Sequence, residues 1–398
     1  MAAGSYRPET AAQVAELVAW AAGESTPLAV RGRGSKAGLG RPVNAATTLD
    51  LSGLSGIALY EPEELVLSAG VGTPLWEITA ALAAQGQMLA FEPPDLGPLL
   101  GGAAEQGSLG GAIACNLAGP RRIAAGALRD HLLGFHGVTG RGETFKSGGR
   151  VVKNVTGYDL SKLMAGSYGT LAVLTDATVK VLPAPEATRT VALPGLDAAA
   201  AVAAMTRALH TVHAVSGAAH LPADLAEGGT AETLLRIEGA PAATVYRAEE
   251  LAKELAGFAA PEIREDTDSR ALWAAIRDVQ PFAGFAGEAV WRLSVPPAEG
   301  AAVVARLTQA LPAARWFLDW GGGLIWLSVP QGHEAQHESV RAALPAAGGH
   351  ATLIRADHAV RAAVPVFQPQ DPALAGLTAR VKAAFDPRGI LNPGLIGP

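Results

Sequence analysis

Residues 148–183 read GGRVVKNVTGYDLSKLMAGSYGTLAVLTDATVKVLP. The block Lys153-Asn154-x-x-Gly157-Tyr158-Asp159 runs into Gly166-Ser167-x-Gly169-Thr170-Leu171, and a β-rich run over 171–182 follows. Glycines set just before a strand let a backbone edge approach a flat ligand with no Cβ in between. Two more glycine-dense segments lie upstream, at 31–40 and 107–119. Three such segments in one domain indicate a long, phosphate-bearing cofactor gripped along its length by main-chain groups.

The segment 31–40 reads RGRGSKAGLG. Gly32-x-Gly34-x-x-Ala37 matches a dinucleotide fingerprint, and Asp50 offers a later acid. A nicotinamide-type Rossmann site needs a helix directly after those glycines, and Gly38, Gly40 and Pro42 oppose one. A phosphate nest fits better: successive N–H groups from Gly32 to Lys36 converge on diphosphate oxygens without any helix. A plain surface turn is the alternative that this segment alone leaves open.

The segment 107–119 carries Gly107-Ser108-x-Gly110-Gly111, then Asn116 and Gly119. Its glycines allow close approach to a flat ring or a ribityl chain, and Ser108 and Asn116 supply hydrogen bonds. A glycine hinge at a helix start is the plainer reading. Taken together, the three segments indicate FAD. Cys115 within the second is expected to be a buried, inert small hydrophobe rather than a reactive thiol. In the 148–183 stretch, Lys153 would offset charge on flavin or phosphate, while Asn154, Tyr158 and Asp159 would hydrogen-bond structurally. A solvated Lys153–Asp159 ion pair is the default for those two alone.

Composition sets the limits. The 398 residues suffice for two domains, and 49% hydrophobic against 17% charged residues supports a sizeable core. The 47 Gly and 27 Pro point to many turns rather than a helical bundle. A net charge of −6 argues against a broad nucleic-acid footprint. Cys115 is the one cysteine, so this chain alone holds neither a disulfide nor an iron–sulfur cluster. The start MAAGSYRPET lacks an apolar core for a signal peptide, and no apolar run reaches the roughly 18 residues of a spanning helix. A cytoplasmic protein is expected, peripheral at the inner face of the membrane through partners.

Along the chain, Thr10 and Gln13 form a capping box before a helix that Gly23 ends. Strands are expected at 28–30, 48–51 and 65–69. Thr73 opens a helix with Pro74 at its first position. A strand pair near 132–144 carries His131 and His136. Short strands mixed with helices indicate an α+β domain over 1–183. Pro183-Ala184-Pro185 is a stiff break. Beyond it the order strand (188–193), helix (197–210), strands (214–219 and 233–238), helix (244–256) recurs as strand (289–295), helix (299–311), a hairpin of strands 315–320 and 324–329, and helix (334–344). Two split βαβ units in one antiparallel sheet fit this cap, 184–355, with 356–398 returning to the first domain. His210 with His213, and His333 with His337, have metal-like spacing but no supporting carboxylate, so no metal is expected. No Ser-His-Asp arrangement stands out. Trp316, Trp320 and Trp326 are expected to form a core cluster on a sheet face.

In this order the motifs resemble the vanillyl-alcohol oxidase superfamily of FAD-linked oxidases and dehydrogenases, with a PCMH-type FAD-binding domain. The resemblance covers 7–183 and returns at 385–394 with Asp386-Pro387-x-x-x-x-Asn392-Pro393-Gly394. Within the superfamily, Leu117-Ala118-Gly119-Pro120-Arg121-Arg122, Gly126-Ala127-x-Arg129-Asp130 and Val152-Lys153-Asn154-Val155-x-Gly157-Tyr158-Asp159 are similar to the FAD-binding E-subunit family of glycolate oxidase. The resemblance implies two α+β subdomains and a ferredoxin-like cap. It implies that Arg31, Gly32, Arg33, Gly34, Ser35 and Lys36 hold the pyrophosphate. Gly107, Ser108, Gly110, Gly111, Asn116 and Gly119 would line the flavin or its ribityl chain, and Gly169, Leu171 and Val173 would face the adenine. Pro94, Lys153, Gly157, Tyr158 and Asn392 complete the implied contacts.

Relatives that attach FAD covalently do so through a histidine beside the first glycine loop. Arg33-Gly34-Ser35-Lys36 has none, so FAD is expected to be non-covalent. Lactate and glycolate dehydrogenase relatives carry G-x-G-N-x-H in the cap, whose histidine acts on substrate; Gly321-Gly322-Gly323 lacks both Asn and His, so no catalytic base is assigned. Arg292, Trp320, His358, Arg361 and Gln368 are the candidates for the flavin's open face. The resemblance implies a subunit working with a sister FAD-linked subunit and an iron–sulfur subunit on a small 2-hydroxy acid. A self-sufficient FAD-dependent dehydrogenase and an assembly subunit with structural FAD stay open.

Overall fold

The computed structural model describes residues 4–149, 157–330, 332 and 334–397. By internal contacts the chain divides into two units: Met1–Ala118, Gly126–Ala184 and Pro369–Pro398 form one, Gly119–Ala125 and Pro185–Gln368 the other.

The first unit holds two main sheets. Ser5–Tyr6, Thr47–Asp50 and Leu28–Arg31 form a parallel sheet in that order, and Leu391 runs parallel beside Leu28. The helix Ala11–Gly23 buries Val14, Val18 and Ala21, the period of one helical face. Thr10 Oγ1 accepts the Gln13 N–H at 3.2 Å while Gln13 Oε1 accepts the Thr10 N–H at 3.2 Å, the expected capping box. The second sheet is antiparallel in the order Ile57–Glu61, Val66–Gly70, Ala172–Lys180, Leu132–Thr139, Thr144–Gly148. The strand of the 148–183 stretch is therefore central. It feeds two cores: Val173 packs with Val14, Val18 and Leu391, whereas Ala177 and Val179 pack with Ile78, Leu82 and Ile113.

Two local expectations change. The second helix is Leu75–Ala83, and Pro74 is its N-cap rather than its first helical residue. The Thr73 hydroxyl does not cap it; it donates to Gly70 O at 2.7 Å and accepts the Gly56 N–H at 2.9 Å, fastening a turn. His131 ends a short helix, Leu128–His131, instead of lying in a strand.

In the second unit an eight-stranded sheet runs in the order Glu262–Arg264, Ala187–Pro194, Glu232–Gly239, Val215–Leu221, Arg315–Asp319, Leu324–Pro330, Glu288–Ser294, His350–Arg355, with every pairing antiparallel. Each half is strand, helix, strand, strand, helix, strand, the ferredoxin-like order. The helices Ala198–Leu209, Pro241–Leu255 and Gly300–Ala310 bury one sheet face, with Val191, Leu235, Trp291 and Leu327 in its core. The short closing strands Glu262–Arg264 and His350–Arg355 and the helix Asp266–Arg277 have no counterpart in the sequence reading. The last helix of the second half is His337–Ala342, shorter than 334–344, because Gln336 before it adopts φ 56°.

The three tryptophans do not form one sheet-face cluster. Trp316 pairs with Leu327 and Phe317 with Trp326, so alternation puts Trp316 and Trp326 on opposite faces. Trp316 stacks on His220 at 5.8 Å, and Trp326 on Phe317 at 6.3 Å. Trp320 sits in the connecting turn at φ 54°.

Candidate cofactor-binding cleft

A cleft opens in the first unit where the strand Leu28–Arg31 ends. Its empty space is about 1120 Å³, open solvent included. Its wall combines residues far apart in sequence: Arg31 to Ala37, Ser108, Gly110 and Gly111, Ser167 to Gly169, Val173 and Asn392.

The loop after Arg31 forms turns, with Ala37 N–H donating to Gly34 O and Leu39 N–H to Lys36 O, each at 3.0 Å. No helix follows the glycines, as the spacing of Gly38, Gly40 and Pro42 predicts. Gly34 adopts φ 80°, a conformation that strains an L side chain. Among the described residues, the main-chain N–H groups of Arg33, Gly34, Ser35 and Lys36 have no hydrogen-bond acceptor in the protein. Four open amides on one bend make an anion-binding concavity.

Facing this loop, Ser108 is the N-cap of the helix Leu109–Cys115 and accepts the Gly111 N–H at 3.3 Å. A Cβ on Gly32 would lie 2.6 Å from Ser108 Oγ, so that glycine lets loop and helix start approach. Gly110 is glycine for packing as well: its Cβ would sit 2.7 Å from Val71 Cβ. The N–H groups of Leu109 and Gly110 donate to Thr73 O at 3.0 Å and Val71 O at 2.8 Å, so the segment is pinned to its neighbour.

A third wall is the turn 166–170. Gly166 N–H donates to Ile113 O at 3.0 Å and Tyr168 N–H to Ala114 O at 2.8 Å. Asn392, 5% exposed, ties this turn to the first strand: its Oδ1 accepts the Val30 N–H at 2.7 Å and its Nδ2 donates to Tyr168 O at 2.9 Å. Asp386 orders the tail that delivers Asn392. Its carboxylate accepts the Ile390 and Leu391 N–H groups at 3.1 and 2.8 Å and pairs with Lys382 Nζ at 2.6 Å.

Lys36 Nζ reaches into the cleft beside Ser35 Oγ at 3.5 Å. Burial holds its amine below the usual lysine value, while Cys115 and Asp95 act to raise it. Burial pushes the Cys115 thiol up to about 11, with Lys36 pulling it back, so the thiol stays protonated. The residue is half-buried and lines the cleft, not fully buried as the sequence reading expects.

Of the residues singled out in the sequence, Arg31, Gly32, Arg33, Gly34, Ser35, Lys36, Ser108, Gly110, Gly111, Gly169, Val173 and Asn392 come together here. The others stand elsewhere. Gly107 uses its carbonyl to accept the Leu75 N–H at 2.9 Å. Asn116 ends the helix at φ 48°, its Oδ1 accepting the Arg129 N–H at 3.0 Å. Leu171 is buried in the core of the second sheet. Pro94 and Gly157 are not part of the wall, Tyr158 is 92% exposed, and Lys153 lies outside the described residues. Gly119 belongs to the second unit, where its carbonyl accepts the Trp320 Nε1–H at 3.1 Å. Sequence reasoning missed Tyr168, Ser167 and Arg41 in the wall. The signal for Tyr168 was its place between two turn glycines.

In the second unit, Arg122 and Arg292 lie over the Trp320 ring at 4.3 and 5.0 Å. Arg121 forms a bidentate pair with Glu238 at 3.0 and 2.6 Å. Gln368 Oε1 accepts the Ala351 N–H at 3.2 Å, and His358 begins a helix, His358–Ala363. His213 Nε2 meets Glu254 Oε1 at 2.9 Å and His210 Nδ1 meets Thr206 O at 2.7 Å. Among the described residues no group of three or more His, Cys, Asp or Glu gathers for a metal.

Open amides and an ammonium beside a wall rich in small and apolar residues fit a diphosphate-bearing cofactor. Residues 2–148 match the FAD binding domain family and 181–396 the C-terminal domain of FAD linked oxidases. The chain is 37% identical over 382 residues to glycolate oxidase subunit GlcE of Escherichia coli K12, covering 95% of each chain. It is 29% identical to glycolate oxidase subunit GlcD of Bacillus subtilis over 48% of this chain and 40% of that one. An alkyldihydroxyacetonephosphate synthase structure superimposes with a TM-score of 0.70 at 16% identity, covering 98% of this chain and 75% of that one.

Proposed function

This chain belongs to the FAD-linked oxidases, and on that premise we propose that it is the FAD-binding subunit of a glycolate-oxidase-type 2-hydroxy acid dehydrogenase. That it is an FAD-dependent oxidoreductase follows from the family; the subunit role is our reading. The observation that carries it is the end-to-end match to a protein named as one glycolate oxidase subunit, against a half-length match to another.

FAD, when bound, would supply acceptance of electrons and their stepwise release. The residues of this chain bind and orient it. The open amides of Arg33 to Lys36 hold the diphosphate. Ser108, Gly110 and Gly111 line the flavin or ribityl portion. Gly169 and Val173 give the adenine a backbone edge, and Asn392 fixes that edge against the first strand. Non-covalent binding is supported by the lack of a histidine in 31–36.

A sister FAD-linked subunit would oxidise the small 2-hydroxy acid, since this cap lacks the G-x-G-N-x-H segment. An iron–sulfur subunit would carry electrons onward, since one cysteine cannot hold a cluster. No helix among the described residues is long and apolar enough to cross a membrane; attachment at the inner face of a membrane would come through partners. The test is to co-purify the chain with its genomic neighbours, record the absorption spectrum and titrate anaerobically with glycolate. Flavin bleaching in the complex but not in the isolated chain supports the reading. Bleaching of the isolated chain by glycolate or D-lactate would overturn it in favour of a self-sufficient dehydrogenase.

A further inference from the structure

The helix Leu75–Ala83 turns Ile78 and Leu82 into the core of the first unit and leaves Trp76, Thr79, Ala80 and Ala83 exposed. That outward face carries no charge, whereas the outward face of a surface helix is ordinarily charged or polar. Trp76, 51% exposed, heads it. Among the described residues its indole makes no hydrogen bond or ring contact. Leaving so much apolar surface in water is unfavourable, and tryptophan is among the residues that carry most of the binding energy of protein interfaces.

The surroundings of this face are of one sign. From Pro42 to Pro120 the sequence has eight Asp or Glu and no Lys, Arg or His. Gln87, just past the helix, holds the turn of exposed Glu61, Glu63 and Glu64 by donating from Nε2 to Pro62 O at 2.8 Å. Among the described residues, these three and Glu77 on the helix make no ion pair. Two copies of this face would set carboxylates against carboxylates with no base between them, so a second copy of the chain does not suit it. A partner with Lys or Arg around an apolar slot does. The helix also backs the cofactor wall. Leu75, the residue before Trp76, donates its N–H to Gly107 O at 2.9 Å. A Cβ on Gly107 would lie 3.0 Å from Leu75 Cδ1 and 3.7 Å from Lys36 Nζ, and Lys36 lines the cleft.

We propose that the outward face of the helix Leu75–Ala83 docks the electron-accepting partner, a protein that takes the Trp76 indole into an apolar slot and meets the glutamates with a basic rim. That this partner is an iron–sulfur protein rests on the function proposed above. Docking here sets the acceptor one helix away from the segment at the cleft. The reduced flavin holds two electrons. Each transfer leaves it one electron poorer, reduces a one-electron cluster of the partner once, and releases the flavin's proton to solvent.

The test compares whole complexes built on the wild-type chain, Trp76→Ser, Trp76→Phe and the double variant Glu63→Lys with Glu64→Lys. Iron and flavin per complex are measured, with the rate of cluster reduction after glycolate over a range of salt. Trp76→Ser is expected to weaken retention of the iron–sulfur partner about 10- to 100-fold, as loss of an interface tryptophan does, and Trp76→Phe to keep most of it. The double variant is expected to slow cluster reduction and flatten its salt dependence. Flavin content is expected to stay at the wild-type level throughout, because none of these residues lines the cleft. Three results overturn the proposal: Trp76→Ser holding the partner as the wild type does, loss of the sister FAD-linked subunit in its place, or an effect confined to dissolving a dimer of this chain. A wild-type complex that lacks flavin or lacks an iron–sulfur protein is a separate outcome, and it overturns the function on which the proposal rests.

Discussion

Asn392 Oδ1 accepts the main-chain N–H of Val30 at 2.7 Å across 362 positions of sequence. The same amide's Nδ2 donates to Tyr168 O at 2.9 Å. One buried side chain thus joins the strand that enters the phosphate loop to the turn on the far wall of the cleft. A Cβ on Gly169 would lie 3.0 Å from that Nδ2, so the glycine makes room for the amide.

We predict that Asn392→Ala destabilises the first unit by about 1–3 kcal/mol, because the Val30 N–H and Tyr168 O lose their partner in a buried site. Asn392→Asp is expected to keep the bond to Val30 and lose the one to Tyr168. Thermal unfolding with and without FAD reads both. A variant as stable as the wild type, with undiminished flavin content, would show that the bridge is dispensable.

Gly34→Val is predicted to weaken FAD binding while leaving secondary structure intact. A Cβ at Gly34 meets nothing within 4 Å, so packing is not the obstacle. The φ of 80° costs an L residue about 1–2 kcal/mol, and relief of that strain would turn the open amides away from one another. Gly32→Val is expected to be worse, since its Cβ would lie 2.6 Å from Ser108 Oγ. Flavin fluorescence titration ranks the two; the reverse order refutes the loop argument.

Arg121→Met is predicted to destabilise the second unit by about 1–3 kcal/mol, because buried Glu238 loses its bidentate partner and keeps Arg236 at 3.5 Å. Burial alone would raise the Glu238 carboxyl, but Arg236 and Arg121 overcome it and hold it at about 2. Its contribution to stability, about 3 kcal/mol, is fully present above the unfolded value near 4.5 and is lost as pH falls towards 2. Urea midpoints between neutral and acid pH should therefore fall less steeply in Glu238→Gln than in the wild type. Parallel curves would argue against the pair.

Flavin should leave the protein on acid precipitation. The loop Arg33-Gly34-Ser35-Lys36 offers no histidine for a covalent link, and the Cys115 thiol, at about 11, is not a nucleophile at neutral pH. Yellow colour in the supernatant is the expected result; colour retained in a washed, denatured pellet contradicts it.

Several features were legible in the chain because they depend on local chemistry. The Thr10–Gln13 capping box, the lack of a helix after Gly34, and the repeated strand–helix order of 188–344 needed only propensity and spacing. Other features were not. The strand Glu262–Arg264 has three residues and no period to detect, and its pairing with Ala187–Pro194 is what makes it a strand. Tyr158 and Asn116 read as cofactor contacts, yet one is 92% exposed and the other caps a helix.

The sequence by itself determined the family, the α+β class, the glycine loop that leaves main-chain amides open, and the shortage of thiols that rules out a cluster in this chain. Those are properties of short segments, where a missing Cβ or a fixed proline φ acts within a few residues. The tertiary structure alone decided which glycines serve the cleft and which serve packing, that Asn392 closes the wall between Val30 and Tyr168, and that Lys36 Nζ comes to the cleft with no ion pair among the described residues. Each of these is a distance between groups separated by tens to hundreds of residues, and such distances are set by how the sheets stack rather than by any stretch of chain.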